Sequence, residues 1–239
     1  TDDVTRIEAK FNESVHIVPL TDPDGRCVAI ARPRNAPFAL AGRNIGPGKP
    51  CLLIAEIGNN HNGSLDLAFE LIDAAVESGA DCVKFQMRDL SSLYANTGDA
   101  GDHREDLGSQ YTLDLLTRFQ LSDKEMFRAL DHCQDSGVIP LVTPWDLVSM
   151  SKLEDYGIEG YKTASADFTN HPLLLSLADT GKPLVCSTGM TTEAEVRDTV
   201  NLLISKGCQF ALLHCNSTYP TPFKDVNLRY MEALREIGG

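Results

Sequence analysis

Two lysines stand inside apolar runs: Lys84 in Cys82-Val83-Lys84-Phe85-Gln86, and Lys162 in Tyr161-Lys162-Thr163-Ala164-Ser165-Ala166-Asp167. An ammonium held among hydrocarbon is costly unless an anion meets it. In extended chain successive side chains alternate faces, so Lys84 and Gln86 share one face while Val83 and Phe85 take the other. With Val83 and Phe85 under helices, Lys84 points into an interior. In the second run Lys162 and Ala164 share a face, and Thr163 and Ser165 the other, until the strand ends. Hydroxyls close two neighbouring runs, as Ser187-Thr188-Gly189 and as Ser217 in Asn216-Ser217-Thr218-Tyr219. Two interior lysines with hydroxyls near the strand ends make a cradle for a phosphorylated carboxylic acid. Glu56, in Ala55-Glu56-Ile57-Gly58, adds a carboxylate. It can pair with Lys84, orient a hydroxyl, serve as a base or hold a metal-bound water. His61, in the polar turn Asn59-Asn60-His61-Asn62-Gly63, and His214 are ligand-type residues. Turn chemistry and core packing account for them equally well.

Something must bring these residues to one place. Six apolar stretches each run into a polar cluster and then into a helical pattern: 52–61, 82–86, 139–146, 161–167, 184–190 and 210–219. Strands buried on both faces belong to parallel sheets, and parallel barrels place their chemistry at the C-terminal strand ends. The expected fold is therefore α/β, a (β/α)8 TIM barrel of which about six units are present. Helices are expected at 65–78, 123–136, 170–180, 193–206 and near 226–236. Ser122 with Glu125 and Thr192 with Glu195 read as capping boxes, and Gly79, Gly137, Gly157, Gly181 and Gly207 as left-handed C-terminal caps. The interval between the second and third strand starts, 57 residues, is about twice the others. Its excess, 88–120, would cover the catalytic face. Residues 1–50, rich in Pro, Gly, Asp and Arg, read as an N-terminal extension, a loop and a β-hairpin over one barrel end, with CVAIARP and APFALAG as two short strands separated by a turn. The barrel domain is 51–239.

The chain has 239 residues and a net charge of −13. That balance argues against nucleic acid or an anionic membrane as partner, since both attract basic faces. No run approaches the ~18 apolar residues of a membrane span, and no export signal is visible, so a cytoplasmic location is expected. Seven cysteines without a C-x-x-C pair read as reduced, mostly buried thiols.

Five stretches together resemble the sialic acid synthase (N-acetylneuraminate synthase) family: IAEIGNNHNG (54–63), GADCVKFQ (79–86), YKTASAD (161–167), STGM (187–190) and LLHCNSTYPTPFKDVNL (212–228). The resemblance covers about 48–239. It implies a (β/α)8 barrel that joins phosphoenolpyruvate to an N-acetylated hexosamine, such as N-acetylmannosamine, to give a nonulosonic acid and phosphate. It implies phosphoenolpyruvate contacts from Lys84, Lys162, Ser165, Ser187 and Ser217. It places the sugar at Gln86, Asp167 and Tyr219, with Glu56 by the reacting carbonyl, so that Glu56, Lys84 and Lys162 carry the catalysis. It also implies a divalent metal, Mn²⁺ or Mg²⁺, on histidines later than this chain reaches, and a homodimer in the full-length protein. The chain departs from the family pattern at Ala164 and Ala166, where many members have glycine. Two other readings stand beside this one. A related aldose-phosphate synthase would need further cations near the strand ends, for which Arg104 and Arg118 are the candidates. A catalytically incomplete ligand-binding fragment would lack the metal ligands.

Overall fold

The computed structural model describes residues 18–31, 38–93 and 116–238. Two antiparallel hairpins come first: β1 (Val18–Thr21) with β2 (Cys27–Ala31), and β3 (Phe38–Leu40) with β4 (Arg43–Ile45). The strands expected from CVAIARP and APFALAG both form, but each pairs with a different partner.

Six strands then build one parallel sheet: β5 (Ile54–Gly58), β6 (Cys82–Met87), β7 (Ile139–Pro144), β8 (Tyr161–Thr163), β9 (Leu184–Ser187) and β10 (Phe210–Leu213). Their spatial order is their chain order, and the sheet curls as half of a barrel. Helices α1 (Leu65–Glu77), α2 (Leu90–Leu93), α3 (Asp123–Asp135), α4 (Leu147–Tyr156), α5 (His171–Asp179), α6 (Glu193–Ser205) and α7 (Tyr230–Ile237) occupy the connections. Both capping boxes form, at Ser122–Glu125 and Thr192–Glu195. All five capping glycines have positive φ, between 67° and 89°, where a side chain would be strained. These caps end each helix so that the next strand starts beside the last.

The sheet has two chemically different faces. Val83, Phe85, Val142, Tyr161 and Cys186 pack outward against Ile72, Leu130, Leu153 and Leu177 of the helices. Burying each large side chain there contributes roughly 1.5–3 kcal/mol. On the inner face Cys82, Leu141 and Val185 meet Leu40 of the β3–β4 hairpin, with Ile54, Ile139 and Leu213 around them. Leu40 fits because residue 160 is glycine: a Cβ there would stand 2.4 Å from Leu40 Cδ1. Arg43 ties the hairpin down by pairing with Asp81, whose other carboxylate oxygen accepts from the Leu53 N–H at 2.8 Å. No helix among the described residues is long and apolar enough to cross a membrane.

Candidate active site

The alternation expected in β6 holds. Lys84 and Gln86 face inward while Val83 and Phe85 are fully buried beneath the helices. β5 aligns Glu56 directly with Lys84, and the Lys84 ammonium lies 2.7 Å from Glu56 Oε1. Lys84 is only 4% exposed. Its burial lowers its pKa, and the Glu56 carboxylate opposes that shift. The Glu56 side chain is 58% exposed, so one carboxylate edge remains open toward solvent.

Lys162 is buried on β8 and donates to Thr163 O at 2.6 Å and to Ser187 Oγ on the neighbouring β9. An ammonium has three N–H donors, and the third has no acceptor among the described residues. Burial pushes Lys162 down to about 8, and the nearby charge of Lys84 pushes the same way. Two buried ammonium groups, on β6 and β8, thus share the inner face with one carboxylate, Glu56 on β5, which pairs with Lys84. In a chain of net charge −13 this is a local excess of positive charge, the condition for holding an anion. Ser187 Oγ accepts from Lys162 and from the Cys215 thiol, the latter at 3.3 Å. Both lone pairs are taken, so its own proton is left to donate.

Ser165 reaches the site in a way alternation does not predict. β8 stops at Thr163, and a 3-10 turn over Ser165–Asp167 turns the chain. Ser165 Oγ accepts from the Gly189 N–H at 3.0 Å, which keeps its hydroxyl proton available. Gly189 is needed at that approach, since a Cβ would sit 2.9 Å from Cys215 O. Ser217 is exposed and spends its proton on Gly189 O at 2.7 Å. It must rotate to donate to a ligand.

Gln86, two residues on from Lys84, and Asp167, in the turn after β8, are linked through Arg88. Arg88 donates to Gln86 Oε1, and its charge favours the Asp167 carboxylate. Burial is the larger influence and raises the Asp167 pKa. Tyr219 does not join this group: it is 93% exposed in the loop after β10. Beyond the nominated residues, Thr143 is buried at the end of β7 in register with Gln86. Two-residue spacing from Leu141, an inner-face residue, was the available signal. Arg88 and Trp145 lie past the strand ends, where that signal stops.

Neither histidine reaches the site through its contacts, and the buried His61 Nε2 has no hydrogen-bond partner among the described residues. His214 Nε2 meets Val226 O at 2.7 Å. His61 is 1% exposed, accepts from the Gly63 N–H at 3.2 Å through Nδ1 and packs near Phe85 on the outer face. Among the described residues no group of three or more His, Cys, Asp or Glu is placed to hold a metal ion, so they do not fit the divalent cation that the resemblance implies. Arg118 is exposed against Phe119. Arg104 lies outside the described residues.

Comparison with known proteins follows the same geometry. Residues 71–239 match the NeuB family. The N,N'-diacetyllegionaminic acid synthase of Campylobacter jejuni is 34% identical over 193 residues, which are 79% of this chain and 58% of that protein. The human N-acetylneuraminate-9-phosphate synthase is 29% identical over 82% of this chain and 55% of its own length. Among solved structures, N-acetylneuraminic acid synthetase from Leptospira borgpetersenii, in complex with citrate, superposes with a TM-score of 0.76 at 29% identity. That match covers 84% of this chain and 67% of the other. The chain spans little more than half the length of the curated relatives it matches.

Proposed function

The chain belongs to the NeuB family, and on that footing we propose that it carries the phosphoenolpyruvate side of a nonulosonic acid synthase. The observation that carries the proposal is the pair of buried ammonium groups on the inner face of one sheet, Lys84 on β6 and Lys162 on β8, with a single carboxylate, Glu56, paired to Lys84. A phosphate and a carboxylate on one small molecule are the anions such a pair would take. Lys162, Ser187 and Ser165 hold one end, and Lys84 holds the other. Their donors stabilise negative charge as it shifts during reaction.

In the proposed reaction the enol carbon of phosphoenolpyruvate bonds to the aldehyde carbon of an open-chain N-acetylated hexosamine. The aldehyde oxygen takes up a proton. Water adds at the former enol C2, the bond from that carbon to the phosphate oxygen breaks, and inorganic phosphate leaves. In this reading Glu56, with one edge on Lys84 and the other open, handles the proton at the aldehyde oxygen. Gln86 and Asp167 orient the acceptor. The divalent cation remains a proposal for ligands outside the described residues, and no step here is routed through it. The full eight-stranded barrel, the homodimer and the cytoplasmic setting belong to the same proposal.

The test is phosphate release by the intact protein supplied with phosphoenolpyruvate, N-acetylmannosamine and Mn²⁺. Release that requires both substrates supports the reading. No release with any related N-acetylated sugar would sink it, as would full activity in Lys84→Ala.

A further inference from the structure

Arg88 directly follows β6, and its neighbours are pinned. Met87 O accepts from the Trp145 N–H at 3.1 Å, and the Asp89 N–H donates to Asp146 Oδ2 at 2.8 Å. Arg88 O itself accepts from Gln120 Nε2 at 2.7 Å. The guanidinium then lies 4.3 Å over the Trp145 ring, a cation–π stack whose platform hangs from the same strand. From that fixed position Arg88 donates to Gln86 Oε1.

That contact decides which way the Gln86 amide faces. With the oxygen turned to Arg88, the NH₂ turns toward Gly58, where a Cβ would stand 3.2 Å from Gln86 Nε2 and 2.9 Å from Glu56 Oε1. The amide therefore presents donors beside the Glu56 carboxylate. Across from it, Asp167 uses Oδ1 to accept from Asn170 at 3.1 Å, while its buried Oδ2 has no hydrogen-bond partner among the described residues. A buried carboxylate oxygen without a donor costs free energy until a donor arrives.

We infer that Arg88 is a positioning residue for the acceptor: stacked on Trp145, it sets Gln86 as donor and Asp167 as acceptor toward the hydroxyls and amide of a polyhydroxylated, N-acylated aldehyde. This rests on the synthase reading above and extends it to a residue that touches neither reacting carbon. Without the guanidinium the amide is free to flip and Asp167 loses the cation that favours its charged form. Burial is the main influence on Lys84 and the Arg88 charge adds to it only as a minor part, while Lys162 is held by Thr163 O and Ser187 Oγ, so the phosphate side keeps its geometry.

The experiment measures initial rates of phosphate release by the intact protein. Phosphoenolpyruvate and N-acetylmannosamine are varied separately for wild type, Arg88→Met and Arg88→Lys, with thermal melts as a check of folding. In Arg88→Met the acceptor KM is expected to rise about tenfold, the size of one lost charge-assisted hydrogen bond, with the phosphoenolpyruvate KM within about twofold. Arg88→Lys restores part of the acceptor KM, because lysine keeps the charge but not the planar fork. Trp145→Leu, which leaves Arg88 in place but removes its platform, raises the acceptor KM in the same direction and serves if Arg88→Met does not fold. An unchanged acceptor KM, or an equal rise in both KM values, overturns the inference and leaves the synthase reading standing. No wild-type turnover overturns both.

Discussion

The inner face of the sheet is one surface with two characters. Toward the strand N-termini it is hydrocarbon: Leu40, Cys82, Leu141 and Val185, closed from below by the β3–β4 hairpin. Toward the C-termini it carries Lys84, Lys162, Ser187, Gln86 and Thr143. Both ends rest on the same backbone ladder, so secondary structure does not separate them. What differs is the next residue inward along each strand, two positions on: Cys82 then Lys84, Leu141 then Thr143, Val185 then Ser187. The apolar floor gives the polar end its strength. Low polarity beneath the lysines makes their charge costly alone and strongly attractive to an anion.

That contrast can be broken most severely at the polar end. Lys84→Ala removes one of the two cations and is expected to weaken phosphoenolpyruvate binding to the intact protein by about 2–5 kcal/mol, read by titration calorimetry. Glu56 is largely exposed there, so the loss should appear in binding far more than in melting temperature.

The floor is tested by Leu40→Ala, which empties a fully buried site and should cost about 2–5 kcal/mol in a denaturant melt. Gly160→Ala drives a methyl into Leu40 and toward Pro183 O, 3.1 Å away, and should cost about 1–3 kcal/mol. The two changes together should cost less than their sum, because the smaller residue 40 makes room for the larger residue 160. Strict additivity would mean that the hairpin does not seat against Gly160.

Lys162 links the two ends through pH. Its folded pKa, about 8, lies below its ordinary 10.5. Between those values the unfolded chain binds the proton and the folded one does not, so stability rises with pH across that window. Lys162→Met removes the cost and is expected to be more stable than wild type by roughly 1–3 kcal/mol below about pH 8. The advantage should shrink to nothing near pH 10.5, as followed by melts across pH. Phosphoenolpyruvate affinity of the wild type should fall over the rise through pH 8, as the ammonium is lost. The smallest effect is expected from Ser187→Ala, about 1 kcal/mol in binding, since Lys162 keeps Thr163 O as a partner.

Much of this was legible in the sequence because it follows a short period. Lys84 stands between apolar neighbours in an alternating run, which fixes its face. Capping boxes and glycine caps marked α3 and α6 to within a residue or so. The structure also supplied the Glu56–Lys84 pair, one of the alternatives open for Glu56. Other features are long-range or lie where periodicity ends. Ser165 reaches Gly189 only because a 3-10 turn replaces the strand after Thr163. Leu40 finds Gly160 across a stretch of chain that no local pattern spans. Arg88 and Trp145 meet after their strands have stopped, held by backbone contacts rather than alternation. Helix α4 was marked in advance only by Gly157, since its run LVSMSKLEDY buries just Ser149 and Leu153.

The consecutive order of the strands bears on how such a chain emerges from the ribosome. Each strand from β6 onward pairs with the one made just before it, so every addition docks on a ladder already present and closes only a short loop. The hairpin carrying Leu40 is synthesised earlier still, yet its seat includes Gly160 of the β7–β8 region. Its seat also includes Val185 of β9, so it must wait for most of the sheet. During synthesis the apolar floor is the last part of the ladder's inner face to be covered, which makes Leu40 a marker for when the nascent sheet becomes native.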